Sequence, residues 1–466
     1  MKPIHSSAIH SMNIKSTFFL GIGKFFEKII AFLFYFIIAR HFGSDQFGDF
    51  VFQYSVASFI MVIFDFGGEI FCIRFFTNQS RNEDQSHLIA MKTLVALVII
   101  CVVFSFGWHS YLVVLLLLFY IDSVISVLRS RLFATKDFGI ETIFSVGEKC
   151  LSFLFFYLSI ITFKDIEISI LAMVLGKLLG LIIYNFYSPF VKQLVLTLMN
   201  FKDVFQEMIA ILKESWSYSL HGLTYLLFYQ IDLSLLKYHQ IPDSEIGEYA
   251  AAMKIFGFGL VVSEVLFRQY YPEINNLMKK GVSSQLLDFV AKLTRANFAI
   301  SFVLLTMILS FSVLIIEVTF GYGFHQSSMI LSILAFALLF RFQSAPYSGI
   351  ISASEHNLRK VLVSLICVLF NVLFNYLFIP KFGILASALI TVLTEFLFWV
   401  LLRIAIVRTF NMRLESLNVF HYMLILSLMG LTFFSLHLCD PVRIALFLGG
   451  CFFVLINRKW ILDLYH

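Results

Sequence analysis

Residues 88–107 read LIAMKTLVALVIICVVFSFG, and residues 110–130 read SYLVVLLLLFYIDSVISVLRS. Each stretch is apolar almost without interruption over about 20 residues, which is the length that a helix needs to cross a bilayer. Strands of a porin-type barrel alternate apolar and polar residues, so such continuous runs exclude a barrel. The two stretches therefore predict membrane-spanning helices.

The same pattern recurs along the whole chain of 466 residues, of which 60% are hydrophobic and 14% charged. Soluble proteins average about 25% charged residues, and a soluble fold has no place for so much apolar surface. We therefore expect an all-α integral membrane protein with about 14 transmembrane helices. The predicted spans are 17–40, 48–72, 88–107, 110–130, 142–163, 166–188, 216–237, 246–272, 293–319, 327–352, 358–379, 383–408, 418–437 and 441–457.

Lys and Arg are distributed unevenly between alternate loops. If the N-terminus is cytoplasmic, most loop cations lie on the cytoplasmic side, and Lys92 and Arg129 are counted there. The few on the outer side are Arg40, Lys164, Lys237, Lys381 and Arg443. This asymmetry follows the positive-inside rule and predicts cytoplasmic N- and C-termini. The net charge of +5 thus reflects topology, and we expect no nucleic acid partner.

An internal repeat predicts two related halves. Residues 42–50 read FGSDQFGDF, and residues 241–249 read IPDSEIGEY. An even number of predicted spans separates the two copies, so both face the same side, as in parallel transporter repeats. We expect a six-helix bundle in 1–200 and a second in 216–410. An amphipathic linker in 201–215 joins them, and two additional helices follow in 411–466.

Motifs for enzymatic chemistry are absent from the sequence. It contains no P-loop, no H-E-x-x-H zinc motif and no G-x-S-x-G nucleophile elbow. The six cysteines are scattered without metal-ligand spacing. We therefore expect a protein that is not an enzyme and uses no cofactor or metal.

Charged residues inside the predicted spans are the candidate functional groups, because each charge at the centre of a span costs about 2.5–3.5 kcal/mol. The candidates for a substrate-binding cavity are Lys24, Lys28, Lys177, Lys254 and Arg341. The candidates for ion coupling are Glu27, Asp65 and Asp232. The alternative is pairing within the fold: Lys24 with Glu27, Lys254 with Asp232, and Arg341 with Glu395.

Three segments carry a family resemblance. The first comprises IARHFG at 38–43 and FGDF at 47–50, and the second comprises QID at 230–232 and IGEYAAAMKI at 246–255. The third reads NVLFN at 371–375, IPKFGI at 379–384 and ASA at 386–388. In order and spacing they resemble the signatures of Wzx-type polysaccharide flippases, within the multidrug/oligosaccharidyl-lipid/polysaccharide exporter superfamily.

The resemblance implies a fold of two six-helix bundles around a central cavity. It also implies a function: moving an undecaprenyl-diphosphate-linked oligosaccharide, such as an O-antigen unit for lipopolysaccharide, to the outer leaflet of a bacterial plasma (inner) membrane. The partners would be this lipid-linked oligosaccharide and the bilayer, with a saccharide polymerase and a chain-length regulator as further candidates. Alternatives are a cation-coupled multidrug exporter, a lipid II flippase and, with less support, a membrane saccharide polymerase.

Overall fold

A computed structural model describes residues 14–65, 67–78, 83–105, 110–135, 137–187, 190–199, 201–410 and 448–449. All regular secondary structure in these ranges is α-helical, which confirms the predicted all-α fold. The predicted spans 418–437 and 441–457, and with them the segment 411–466, lie outside the described residues except for 448–449.

The described helices follow one another with short connections. In chain order they are α1 (Ile14–Asp65), α2 (Gly68–Asn78), α3 (Glu83–Ser105), α4 (Ser110–Thr135), α5 (Phe138–Phe163), α6 (Ile166–Tyr187), α7 (Val191–Met199), α8 (Phe201–Tyr238), α9 (Asp243–Lys279), α10 (Ser284–Thr319), α11 (Ser327–Ser352) and α12 (Asn357–Phe410). Among the described residues, α3 to α6 and α9 to α12 are long and apolar enough to cross a membrane. The chain is a multi-pass membrane protein.

Two helices each contain two predicted spans. Helix α1 includes the predicted span 17–40 and most of 48–72, and it is kinked at Gly43, where φ is 76°. Helix α12 includes the predicted spans 358–379 and 383–408, and it is kinked at Gly383, where φ is 55°. Positive φ angles favour glycine, which has no Cβ. The predicted breaks between spans are therefore glycine kinks within continuous helical elements.

The two copies of the internal repeat pack against each other. A Cβ added to Gly48 would lie 1.8 Å from the backbone oxygen of Asp243, and one added to Gly247 would lie 2.0 Å from that of Ser44. Ser44 and Gly48 occupy the repeat positions of Asp243 and Gly247, so the contact is reciprocal, as across a two-fold axis. Only glycine permits so close a backbone approach.

The chain divides into two compact units. Of the described residues, unit 1 contains those up to His41 together with Gln53–Leu226, and unit 2 contains Phe42–Phe52 together with those from Leu227 onward. The core of unit 1 includes Phe71, Leu88 and Leu128. In unit 2, α11 packs against α9, α10 and α12 and is the most buried of the membrane-crossing helices.

The segment 201–215 forms the first part of α8 and continues into the predicted span 216–237 without a break. Along this part of the helix, Phe205 and Leu212 are exposed while Ile211 is buried. The division between the two units falls further along the same helix, between Leu226 and Leu227.

Candidate functional site

Four charged side chains form a compact cluster inside unit 1, which we call the charge square (Asp122, Glu148, Lys149 and Lys177). The Nζ atom of Lys177 lies 2.5 Å from Asp122 Oδ1 and 2.9 Å from Glu148 Oε1. Lys149 lies at 3.5 Å and 3.7 Å from the same two carboxylates. Lys177 and Glu148 have no exposed side-chain surface. Lys177, predicted to line a cavity, is thus fully enclosed by its partners in this structure.

A second cluster joins α1, α4 and α5. Arg129 contacts Glu141 at 2.8 Å and Glu27 at 3.2 Å, and Lys24 contacts Glu141 at 3.3 Å and Glu27 at 3.5 Å. The alternative pairing of Lys24 with Glu27 is therefore present. The side chain of Lys24 is 35% exposed, and the side chain of Lys28 on the same helix is exposed.

Asp65, an ion-coupling candidate, has a buried cation as its partner. Lys92 Nζ lies 2.8 Å from Asp65 Oδ1, and the Ser123 hydroxyl donates to the same oxygen at 2.6 Å. The assignment of Lys92 to a loop was wrong, because Lys92 lies within α3 with no exposed surface. A charge near the end of an apolar run looks like a loop residue until its partner on another helix is known.

In unit 2, Asp232 is held by uncharged groups, and we call this arrangement the Asp232 site (Asp232, Tyr249, Asn371, Asn375 and Thr391). Asp232 Oδ2 accepts hydrogen bonds from Tyr249 Oη at 2.7 Å and from Thr391 Oγ1 at 3.1 Å. Asp232 Oδ1 accepts one from Asn375 Nδ2 at 3.0 Å. Asp232 is 1% exposed. It forms no salt bridge within the part of the chain that the structure describes, so the alternative pairing with Lys254 is not found.

The Asp232 site is rich in oxygen atoms. The side chains of Asn371 and Asn375 lie 3.2 Å apart, one turn along the first half of α12, and Asn375 Oδ1 has no hydrogen-bond partner. The orientation of an amide group is assigned from its hydrogen bonds. With Asn375 rotated, its oxygen would face Asp232 and a proton or a monovalent cation would be needed between them.

A second buried carboxylate lies one helical turn from the Asp232 site. Glu395 accepts a hydrogen bond from Tyr229 Oη at 3.4 Å, and its Oε2 lies 3.9 Å from Arg341 Nη1. Tyr229 precedes Asp232 by three residues on α8, and Glu395 follows Thr391 by four on α12. The hydrogen bonds between Asp232 and Thr391 and between Tyr229 and Glu395 therefore both join α8 to α12. The alternative pairing of Arg341 with Glu395 is present, although at a long distance.

Several members of these clusters were not found from the sequence. Arg129 was assigned to a cytoplasmic segment, yet it lies within α4 and binds two carboxylates. Asn371 and Asn375 were noted only as part of a motif. The signal that indicates them is a pair of amide side chains four residues apart on an otherwise apolar helix. Lys254 lies partly buried on α9.

Metal coordination by the usual ligands is not indicated. Among the described residues, no group of three or more His, Cys, Asp or Glu side chains is arranged to hold a metal ion.

Comparison with known sequences gives one family and one curated relative. The sequence model of the family described as "Polysaccharide biosynthesis protein" matches residues 14–278, more than half of the chain. An uncharacterized membrane protein, MJ1068 of Methanocaldococcus jannaschii, is 29% identical over 144 residues. That alignment covers 31% of this chain and 27% of the relative, so it spans only about a quarter of the relative's length.

Comparison with solved structures establishes the fold. The structure titled "Lipid II flippase MurJ, inward closed conformation" matches with a TM-score of 0.66 and 15% identity, over 95% of this chain and 99% of that chain. An inward-facing multidrug resistance MATE family transporter of the MOP superfamily matches with a TM-score of 0.59 and 14% identity, over 82% and 95%. The predicted fold class is thereby confirmed.

Proposed function

The chain belongs to the polysaccharide biosynthesis protein family, and on this premise we propose that it is a Wzx-type flippase for a lipid-linked oligosaccharide. The cargo is an undecaprenyl-diphosphate-linked repeat unit of a surface polysaccharide such as O-antigen. The direction is from the inner to the outer leaflet of a bacterial plasma membrane. The observation that carries the proposal is a polysaccharide-family sequence match on a chain whose fold is that of flippase and exporter structures.

The diphosphate and any acidic sugars of the cargo require cations, and accessible cations exist in both units. Lys24 and Lys28 in unit 1 and Arg341 in unit 2 each have exposed surface, and Lys254 is partly buried on α9. Phosphate groups bind Arg through paired hydrogen bonds and Lys as a point charge. We assign the cargo contact to these four residues. Lys177 remains enclosed by the charge square and acts on the cargo only if that square opens.

Three carboxylates are candidates for coupling transport to an ion gradient. The presence or absence of a nearby cation ranks them as binding sites for a proton or sodium ion. Glu27 and Asp65 each have a cationic partner within 3.5 Å. Asp232 has only neutral partners, so a proton or sodium ion meets no competing cation there. Asp232 is therefore our coupling residue. The membrane potential, worth about 2.3 kcal/mol per charge per 100 mV, drives the anionic head group outward in addition.

The mechanism that fits these groups is alternating access, in which two related halves expose the binding residues first to one side and then to the other. The saccharide head group would enter from the cytoplasm while the lipid tail stays in the bilayer. We also propose that both termini are cytoplasmic. The proposed protein partners are a saccharide polymerase and a chain-length regulator.

A deletion strain tests the proposal. We expect loss of surface polysaccharide, with the lipid-linked precursor accumulating on the cytoplasmic leaflet, and restoration of both by the intact gene. Unchanged polysaccharide would reject the saccharide cargo, and drug-efflux assays would then test a multidrug exporter. Accumulated cell-wall precursor would instead assign the chain to lipid II, and exported but unpolymerised units would assign it to polymerisation.

A further inference from the structure

The Glu395 carboxylate is buried with incomplete compensation of its charge. Its side chain has no exposed surface, and its Oε2 atom has no hydrogen-bond partner. Its cationic partner, Arg341, lies 3.9 Å away, near the limit for an ion pair and well beyond a charge-assisted hydrogen bond of about 2.7–2.9 Å. A carboxylate in this position readily accepts a further positive charge.

Arg341 is supported independently of Glu395. Its guanidinium group lies over the rings of Tyr229 and Phe398, at 5.6 Å from each centroid. The side chain is 30% exposed, so it is within reach of a ligand. Guanidinium groups bind oxyanions such as phosphate or carboxylate through two parallel hydrogen bonds. Arg341 can therefore exchange its distant contact with Glu395 for a closer, bidentate contact with an oxyanion.

Such an exchange has an electrostatic consequence. When an oxyanion binds Arg341, the charge of Arg341 is compensated and Glu395 remains as a buried anion without a counter-charge. Leaving one charge of a buried pair uncompensated is costly in a low-dielectric interior. A proton taken from water by Glu395 Oε2 removes this cost, and Arg341 keeps its own charge throughout.

We propose that Glu395 takes up one proton when an oxyanion of the transported lipid binds Arg341, so that anion binding and proton uptake are linked within unit 2. This inference rests on the proposed function, because the anion is part of that cargo. The linkage is reciprocal, so lower pH strengthens anion binding.

The groups around Glu395 on the neighbouring elements are consistent with this role. Asp232 lies one turn from Tyr229 on α8 and accepts hydrogen bonds from three neutral donors. The only cation in a salt bridge with Glu395 among the described residues is Arg341. The titratable and charged groups near the pair are Tyr229 and Asp232 from α8, Tyr249 from α9, Arg341 from α11, and Cys367 and Lys360 from the first half of α12.

The test is calorimetric titration of the full-length protein in nanodiscs with two probes. Farnesyl diphosphate presents a diphosphate without sugar, and an alkyl glucuronide presents a sugar carboxylate without phosphate. Titration in buffers of different ionisation enthalpy counts the protons taken up. We expect about one proton per bound probe in at least one arm, and a Kd that falls by up to about tenfold for each unit of pH decrease. The responding arm identifies the source of the oxyanion.

The variants separate this inference from the proposed function. In Glu395→Gln we expect binding as tight as in the wild type or tighter, without proton uptake and without pH dependence. In Glu264→Gln, which removes a carboxylate from an exposed ion pair with Arg268, we expect wild-type proton uptake. Binding without uptake in the wild type, or unchanged uptake in Glu395→Gln, would overturn the inference alone. If neither probe binds the wild type, the anionic cargo and this inference fail together.

Discussion

The two units differ in how the carboxylates inside their helix bundles are compensated. In unit 1, Asp65, Asp122 and Glu148 each have a lysine ammonium group within 3 Å. In unit 2, Asp232 is held by a tyrosine, a threonine and an asparagine, and Glu395 has a cation only at 3.9 Å.

The distance to the nearest cation distinguishes structural from functional carboxylates in an apolar protein. A buried carboxylate with close cations is neutral as a group, so it holds helices together and is costly to disturb. A buried carboxylate with neutral donors can gain a proton or a cation without displacing a partner. We therefore propose that the clusters of unit 1 mainly stabilise the fold and that Asp232 and Glu395 of unit 2 bind ions.

The largest effect is expected from Lys177→Met in the charge square. Among the described residues, the substitution removes the only cation within 3 Å of Asp122 and Glu148. It leaves the fully buried Glu148 and the partly exposed Asp122 with Lys149 alone. Breaking a buried pair in this way costs about 3–5 kcal/mol. We expect a large fall in thermal stability and in the yield of monodisperse protein, measured by size-exclusion chromatography and thermal unfolding.

The double variant Lys177→Met/Glu148→Gln is the matched control, because it restores a neutral pair of Asp122 and Lys149. It should recover most of the stability lost in the single variant. If the single variant is stable but inactive in transport, the structural role of Lys177 is contradicted, because Lys177 would then act on the cargo rather than on the fold.

A smaller loss is expected from Lys92→Met. Lys92 is fully buried, but Asp65 is 18% exposed and keeps its hydrogen bond from Ser123. Water and the Ser123 hydroxyl thus compensate part of the lost charge, and we expect about 2–3 kcal/mol of destabilisation. Thermal unfolding would place this variant between the wild type and Lys177→Met. A loss equal to that of Lys177→Met would show that the complete burial of Glu148 adds nothing to the cost of removing its cation.

Asp232→Asn should separate function from stability. Asparagine has nearly the same shape, and its oxygen accepts the hydrogen bonds of Tyr249 and Thr391. Its amide nitrogen donates to Asn375 Oδ1 once the Asn375 amide rotates, so the expected change in stability is within about 1 kcal/mol. Export of the lipid-linked saccharide, and any dependence on protons or sodium, should be lost. Asp243→Asn, which removes the carboxylate paired with Lys237 at 2.5 Å, is the control and should keep ion dependence. Normal ion-dependent export in Asp232→Asn would contradict the coupling role.

The smallest effect is expected at the exposed pair of Arg268 and Glu264, which are four residues apart on α9 with a contact of 2.6 Å. Exposed pairs of this kind contribute about 0.3–0.5 kcal/mol. Arg268→Gln should therefore leave thermal stability and export close to those of the wild type. A loss approaching that of the buried variants would show that a short distance, rather than burial, sets the contribution of an ion pair in this protein.

Much of the fold followed from local sequence properties. Apolar runs located the helices, because span length is a property of neighbouring residues. The repeat indicated two related halves, but the close approach of its two copies at Gly48 and Gly247 is a tertiary contact that the sequence did not indicate. The kinks at Gly43 and Gly383 were predicted as breaks between spans. Whether 201–215 continues without a break into the predicted span 216–237 depends on how the helix packs, and hydropathy does not indicate this.

The candidate site was less predictable, because partnership between charges is a tertiary property. The sequence showed that Lys177 lies in a span, but its enclosure by Asp122 and Glu148 depends on the packing of α4, α5 and α6. Pairs close in sequence, such as Lys24 with Glu27, were foreseen. The bonds from Asn375 and Thr391 to Asp232 join residues far apart in the chain, and no local pattern indicates them.

The most direct test of the central claim is a flipping assay with the purified full-length protein in liposomes. A lipid-linked oligosaccharide is placed in both leaflets, and a membrane-impermeant sugar oxidant reports the fraction exposed outside. We predict that the wild type makes nearly all of the lipid accessible within minutes, whereas Asp232→Asn leaves about half protected, as in protein-free liposomes. Equal protection with the wild type and without protein would contradict the claim that this chain is a flippase for lipid-linked saccharides.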